Sequence, residues 1–141
     1  MIILDTNVIS ELMREEPHKN VKEWVAAHKP TELSLTTIAI AEIQKGLARL
    51  AKGKRRNTLE NNFSIFVAEA FNDRIYSFDE EAAYIYGKIV EKREKEGFNT
   101  DAVDLMIGAI VKSQNASIAT RNTKDFEGCG IKIINPWESD K

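Results

Sequence analysis

Apolar positions fall along this chain in two kinds of stretch. Short runs at residues 2–4, 33–35, 75–78, 117–119 and 132–134 read as β-strands, the first of them buried. Between them lie longer stretches whose apolar residues recur at helical spacing: 8–13, 21–27, 37–51, 57–70, 80–95 and 101–113. Pro17 opens the second helix and Pro30 closes it, and Gly97 breaks the chain between the last two. The 80–95 segment is strongly amphipathic, with Ala82, Ile85, Tyr86 and Ile89 on one face. No internal repeat or low-complexity linker interrupts the series.

Strands that alternate with helices imply right-handed crossovers and a parallel sheet covered on both faces. Such a sheet gathers strand C-termini and the N-termini of the following helices along one edge, where ligands bind. Four carboxylates, far apart in sequence, are expected there. Asp5 follows the first strand, and Glu42 lies about two turns into the helix after the second. Asp104 sits in the first turn of the helix that leads to the fourth strand, and Asp125 follows that strand.

Each acid also has a local explanation. Asp5, Thr6 and Asn7 are all good N-cap residues for a helix opening near Val8. Glu42 can pair with Lys45 at the surface. However, Ala39, Glu42 and Gly46 share a face beside the apolar stripe Ile40, Ile43, Leu47 and Leu50, which suits close approach better than open water. Asp104 can complete a cap with Thr100 or Asp101, and Asp125 can brace a turn before Phe126. Four unrelated caps gathered on one edge is the weaker account.

Carboxylates packed together repel, and burial raises their pKa values. A hard divalent cation, Mg²⁺ or Mn²⁺, relieves that conflict because it prefers oxygen ligands. One or two such ions can activate a water and stabilise the leaving oxygen of a phosphodiester. Zinc is disfavoured, since one cysteine and two histidines do not build its usual site, and His18 and His28 fall in a charged, solvent-facing segment. Neither a nucleophile elbow nor a phosphate-binding glycine loop occurs.

The 141 residues are expected to form one domain, 1–141, and a net charge of −2 makes the chain no polycation. Cys129 alone allows no internal disulfide and suits a reducing compartment. No apolar run reaches the ~20 residues of a membrane span, and the first charge comes too early for a signal peptide. The expectation is a cytoplasmic protein without membrane contact. One stretch departs from the acidic balance: residues 43–59 hold no acid, while Lys45, Arg49, Lys52, Lys54, Arg55 and Arg56 supply six positive charges. Alone, this reads as a solvated helix end and loop, where cations also suit a helix C-terminus. On the helix that carries Glu42, it becomes a candidate contact for nucleic-acid phosphates or a partner.

Five segments together carry a resemblance: I-I-L-D-T-N-V-I-S-E, T-T-I-A-I-A-E-I-Q-K-G, D-A-V-D-L-M-I-G-A-I, I-A-T-R-N-T-K-D-F and N-P-W. In order and over nearly the whole chain, they resemble the PIN-domain ribonucleases of the VapC type, especially the FitB-like toxins. The resemblance implies a three-layer α/β/α sandwich whose parallel sheet has strand order 3-2-1-4-5. It further implies a metal-dependent endoribonuclease, the toxin of a type II toxin–antitoxin system. It assigns the acidic quartet to Asp5, Glu42, Asp104 and Asp125, with Mg²⁺ or Mn²⁺ as cofactor, and the polar residues near the metal to Asn7, Thr120 and Asn122. Asp101, one turn before Asp104, reads as a more distant metal contact or, better, as a helix cap. RNA substrate, a homodimer and a cognate antitoxin are implied as well, with DNA reached only through the antitoxin.

In this reading Asp5, Asp104 and Asp125 are ligands, Glu42 is a ligand or orients the attacking water, and Thr6 or Asn7 is left to cap the first helix. Two other readings compete. A receiver-like signalling module would need a phosphoacceptor after the third strand, where Asp79 stands too close to a helix start. A non-cleaving PIN-fold protein would act with an antitoxin on DNA, in transcriptional regulation.

Overall fold

Ile3 and Leu4 are neighbours in the first strand and point to opposite faces of the sheet. Ile3 packs in an apolar cluster with Ile89, Leu105, Ile118 and Phe126, whereas Leu4 packs in another with Val8, Ile9, Leu35 and Phe63. A strand buried on both sides needs helices on both sides, and the chain supplies them. The structure, a computed structural model, describes residues 1–138.

The strands are β1 (Ile2–Leu4), β2 (Leu33–Thr36), β3 (Ile75–Tyr76), β4 (Ser117–Ala119) and β5 (Lys132–Ile134). All pairings are parallel, in the order β3-β2-β1-β4-β5, as the resemblance implied. The helices are α1 (Thr6–Leu12), α2 (Lys19–Ala26), α3 (Thr37–Ala48), α4 (Lys54–Phe71), α5 (Glu80–Lys95) and α6 (Ala102–Ser113). Short 3₁₀ turns occupy Pro30–Glu32 and Thr123–Phe126. Helices α5 and α6 pack together over the Ile3 face, and α1 to α4 bury their apolar sides mainly against the Leu4 face. This order excludes the receiver-like alternative, whose sheet runs 2-1-3-4-5 with β1 beside β3. Asp79, exposed after the edge strand β3, spends its carboxylate on capping α5 through the Ala82 amide at 2.9 Å.

Several element ends differ from expectation, each for a local reason. Helix α1 begins at Thr6 and not Val8, because Asp5 itself is the cap. His18 Nδ1 accepts from the Asn20 amide at 3.1 Å, so α2 begins at Lys19. Helix α4 opens at Lys54 and not Asn57, after Gly53 and with no side-chain cap. Lys54, Arg55 and Arg56 therefore stand in a helix's first turn, where the dipole opposes cations, and not in a loop. Gly46 lies exposed, and a Cβ there would touch nothing, so it does not serve close approach beside Glu42.

Candidate active site

Chain order reverses at β1, whose neighbours are β2 on one side and β4 on the other. In parallel α/β sheets the crevice at such a reversal is where ligands bind. Leu4 is paired with Ala119, so Asp5 and Thr120 leave the sheet side by side. The Asp5 amide donates to the Ala119 carbonyl at 2.9 Å and the Thr120 amide to the Ile134 carbonyl at 2.9 Å, which extends the ladder under the crevice.

Asp5 is only 4% exposed, and its two oxygens do separate work. Oδ1 accepts from the Thr6 amide at 2.8 Å and starts α1. Oδ2 accepts from the Thr120 hydroxyl at 2.7 Å and from Asn7 Nδ2 at 3.3 Å. Cap and candidate ligand are thus one residue; Thr6 and Asn7 do not take over the capping. The fully buried Thr120 hydroxyl donates to Asp5 and accepts from Asn7 Nδ2 at 3.2 Å and from the Asn122 amide at 3.1 Å, so its hydrogen-bonding capacity is filled. Asn7 uses its remaining oxygen on the Arg121 amide at 3.2 Å. Asn122 joins this network through its backbone amide and lines the cleft.

The other acids arrive from three further elements. Glu42, half-buried on α3, accepts from the Thr6 hydroxyl at 2.7 Å. Asp104 stands in the first turn of α6, where its amide donates to Asp101 Oδ1 at 3.1 Å; Asp101 is the helix cap, as expected. Asp125 lies half-buried in the 3₁₀ turn after β4. Asp5, Glu42 and Asp104 line one cleft of about 530 Å³. Asp125 lines an adjoining depression that shares Asp104 with it.

These acids feel one another. Burial pushes the Asp5 carboxyl above its usual range, hydrogen bonds from Thr120 and Thr6 pull it back, and the charges of Glu42 and Asp125 push it up again. Asp104 is pushed up to about 7, first by burial and then by the charges of Asp101, Asp5, Asp125 and Glu42. A bound cation reverses both shifts, and hard carboxylate oxygens are the donors Mg²⁺ and Mn²⁺ prefer. Among the described residues, no three or more His, Cys, Asp and Glu side chains are drawn into a ready-made metal cage. The acids stand around an open cleft, which suits an ion that keeps waters and takes a phosphate oxygen as a ligand.

Four neighbours of the site carry no sequence signal strong enough to single them out. Thr6 reads as a cap but holds Glu42. Arg121 and Trp137 line the cleft together, with the guanidinium carbon 5.3 Å from the ring centroid. Arg93, 3% exposed on α5, donates to the Asn99 carbonyl at 2.7 Å and to the Glu127 carbonyl, joining the chain before α6 to the chain after Asp125. The basic tract lies outside the cleft, and Arg56 is engaged with Glu60 at 2.6 Å and with the Leu50 carbonyl.

Residues 2–129 match the PIN domain. The chain belongs to the PIN-domain family. Within it, the chain is 38% identical over 139 residues to the plasmid stability protein StbB of Pseudomonas syringae pv. tomato, covering 99% of this chain and 100% of that one. It is also 38% identical over 138 residues to the VapC ribonuclease Y4jK of Sinorhizobium fredii, covering 98% and 99%. Among solved structures, FitAB bound to an IR36 DNA fragment contains a chain that superposes with a TM-score of 0.93 at 35% identity, covering 100% of this PIN domain and 99% of that chain. Among the described residues, no helix of this PIN domain is long and apolar enough to cross a membrane.

Proposed function

We propose that this chain is a metal-dependent endoribonuclease, the toxin of a toxin–antitoxin pair, with Mg²⁺ or Mn²⁺ held by Asp5, Asp104, Asp125 and Glu42. When bound, the ion supplies Lewis-acid activation of a water and neutralises charge on the phosphate and leaving oxygen. The chain does the positioning. Thr120 and Asn7 fix Asp5, Thr6 fixes Glu42, and Asp101 fixes the turn that carries Asp104. Asn122, at the cleft, is within the site to steady a carboxylate or a water.

One observation carries this reading. Acids from four elements come to the strand-order reversal, where burial pushes up both Asp5 and Asp104 and the charges of Glu42 and Asp125 add to each shift. Cations stabilise such a cluster, and a polyanionic substrate needs them to approach it. The ribonuclease relative supports RNA as the substrate. The FitAB assembly on DNA supports an antitoxin as partner, with DNA reached through it. A homodimer working in the cytoplasm fits the same family reading. Lys45, Arg49, Lys52, Lys54 and Arg55, exposed on and between α3 and α4, are offered as a secondary contact for RNA or the antitoxin, with Arg56 bracing them.

The test uses antitoxin-free protein and a labelled RNA. Cleavage in Mg²⁺ or Mn²⁺, loss in EDTA and loss in Asp5→Asn are expected. Undiminished cleavage in EDTA or by Asp5→Asn would sink the reading. No cleavage in any metal, with DNA binding retained by the antitoxin complex, would leave the non-cleaving regulator in its place.

A further inference from the structure

The cleft that gathers the acids also holds a cation and an aromatic ring that the acids do not use. Arg121 follows β4 and Trp137 follows β5, and the guanidinium carbon lies 5.3 Å from the indole centroid. Both backbones are tied down. The Arg121 amide donates at 3.2 Å to Asn7 Oδ1, and the Asn7 amide group in turn holds Asp5. The Trp137 amide donates to Asn135 Oδ1 at 2.9 Å, and its carbonyl accepts from Asn20 Nδ2 at 2.7 Å. Among the described residues, the Arg121 guanidinium has no carboxylate and no hydrogen-bond acceptor, and its side chain is exposed. Arg14, the other cation lining the cleft, is occupied by Glu11 at 3.0 Å.

We propose that the Arg121–Trp137 pair is the seat for the nucleotide beside the scissile phosphate, and that it takes single-stranded RNA. The inference rests on the ribonuclease reading of the same cleft. An acid-lined cleft repels a polyanion, and a guanidinium on its wall, without a carboxylate partner among the described residues, offsets that repulsion where the backbone enters. Guanidinium planes and aromatic faces are also the surfaces on which unstacked RNA bases lie. The Trp137 ring lies beside the guanidinium, its centroid 5.3 Å from the guanidinium carbon, so a base can lie against the ring or the cation while the guanidinium N–H groups reach a phosphate oxygen. The pairing favours RNA over an acidic segment of a protein partner, because a carboxylate would need only the charge and not the aromatic ring beside it.

The experiment compares wild type with Arg121→Ala, Arg121→Lys and Trp137→Phe. Arg121 is exposed and bonded to the core only through its backbone, so its variants keep the fold. Cleavage of a labelled single-stranded oligoribonucleotide should lose efficiency in Arg121→Ala by about 10-fold, mostly in KM and less in kcat. Arg121→Lys should recover only part of it, since lysine keeps charge without a plane. Anisotropy with the same oligonucleotide, in an Asp5→Asn background, should show the same weakening. Mn²⁺ affinity, measured by titration, should be unchanged. Trp137→Phe, which keeps a ring, should fall between wild type and Arg121→Ala. Unchanged RNA affinity, full rescue by lysine, a parallel loss of Mn²⁺ affinity, or a loss confined to antitoxin binding would each overturn the proposal. Absence of metal-dependent cleavage in wild type would instead bring down the ribonuclease reading, and RNA binding by wild type would then decide this one alone.

Discussion

The Thr6 hydroxyl donates to Glu42 Oε1 across 2.7 Å and so joins the first residue of α1 to the middle of α3, 36 positions away. The same residue gives its amide to Asp5 at 2.8 Å. One threonine therefore orients two of the four acids, and only one of those bonds needs its side chain. Thr6→Val removes the hydroxyl but keeps shape and amide. It should cut metal-dependent RNA cleavage by on the order of 10-fold, as loss of a group supporting a ligand does. Thr6→Ser should retain the rate. Initial rates at saturating Mg²⁺, with melting temperatures of all three proteins, check this.

Asp5 serves α1 and the candidate metal at once, so the choice of substitution matters. Asparagine caps a helix as well as aspartate does, whereas alanine does not. Asp5→Asn should abolish cleavage and Mn²⁺ binding while keeping the cap through Oδ1; it removes a buried, repelled charge but also the bonds that Oδ2 accepts from Thr120 and Asn7. Asp5→Ala should be equally inactive and about 1 kcal/mol less stable than Asp5→Asn. Urea melts of the two variants in EDTA give the comparison; equal stability would remove the capping role.

Thr120 fills the centre of the network with one donated and two accepted hydrogen bonds. Thr120→Val leaves Asp5 Oδ2 with only the Asn7 amide group and strands the Asn122 amide. A stability loss of about 2 kcal/mol is expected, from desolvated groups left without partners. Serine at this position should cost far less. Chemical denaturation at neutral pH separates them.

Arg93 is a buried cation whose bonds run to backbone carbonyls on both sides of the acid-bearing loops, with Phe98 packed 4.7 Å from the guanidinium carbon. Arg93→Met fills the space and abandons both carbonyls. Stability should fall by about 2–3 kcal/mol, since hydrogen bonds to a charged donor are lost. Mn²⁺ affinity should fall with it, because Asp104 and Asp125 are no longer held by a common staple. A calorimetric titration that found wild-type affinity in Arg93→Met would reduce Arg93 to a packing residue.

The alternation of strands and helices and the edge on which the acids fall were legible because they depend on features that lie close together in sequence, whereas the strand order rested on the resemblance. Asp5, Thr120 and Asp125 sit just past apolar runs, and a parallel sheet sends all such positions to one edge. What was not legible depended on partners far along the chain. Thr6 looked like a cap because its acceptor, Glu42, is on another helix. Asp5 posed a choice between cap and ligand that dissolves once its oxygens are followed separately. Helix α4 starts three residues before its expected start, at Lys54 and not Asn57, because Gly53 offers no capping side chain to mark it. Arg93 gave no signal, and Arg121 stood in a quoted segment without a role, since carbonyls and a ring brought by the fold define what they do.

The pH dependence of the metal-free protein follows from Asp104. Its carboxyl is raised from an ordinary 3.8 to about 7, so between those values the folded state binds protons that the unfolded state has released. The stability this contributes is fully present below pH 3.8 and is lost as pH rises through about 7. Asp5, also raised, acts in the same direction. Metal-free protein should therefore melt lower at pH 8 than at pH 6, and Asp104→Asn should flatten that slope. A divalent cation competes for the ionised form, so Mn²⁺ affinity should climb over the same interval and saturate above about pH 8. Melting curves in EDTA and in excess Mn²⁺ should diverge as pH rises. Parallel curves across pH 6–8 would show that the cation does not bind where Asp104 ionises.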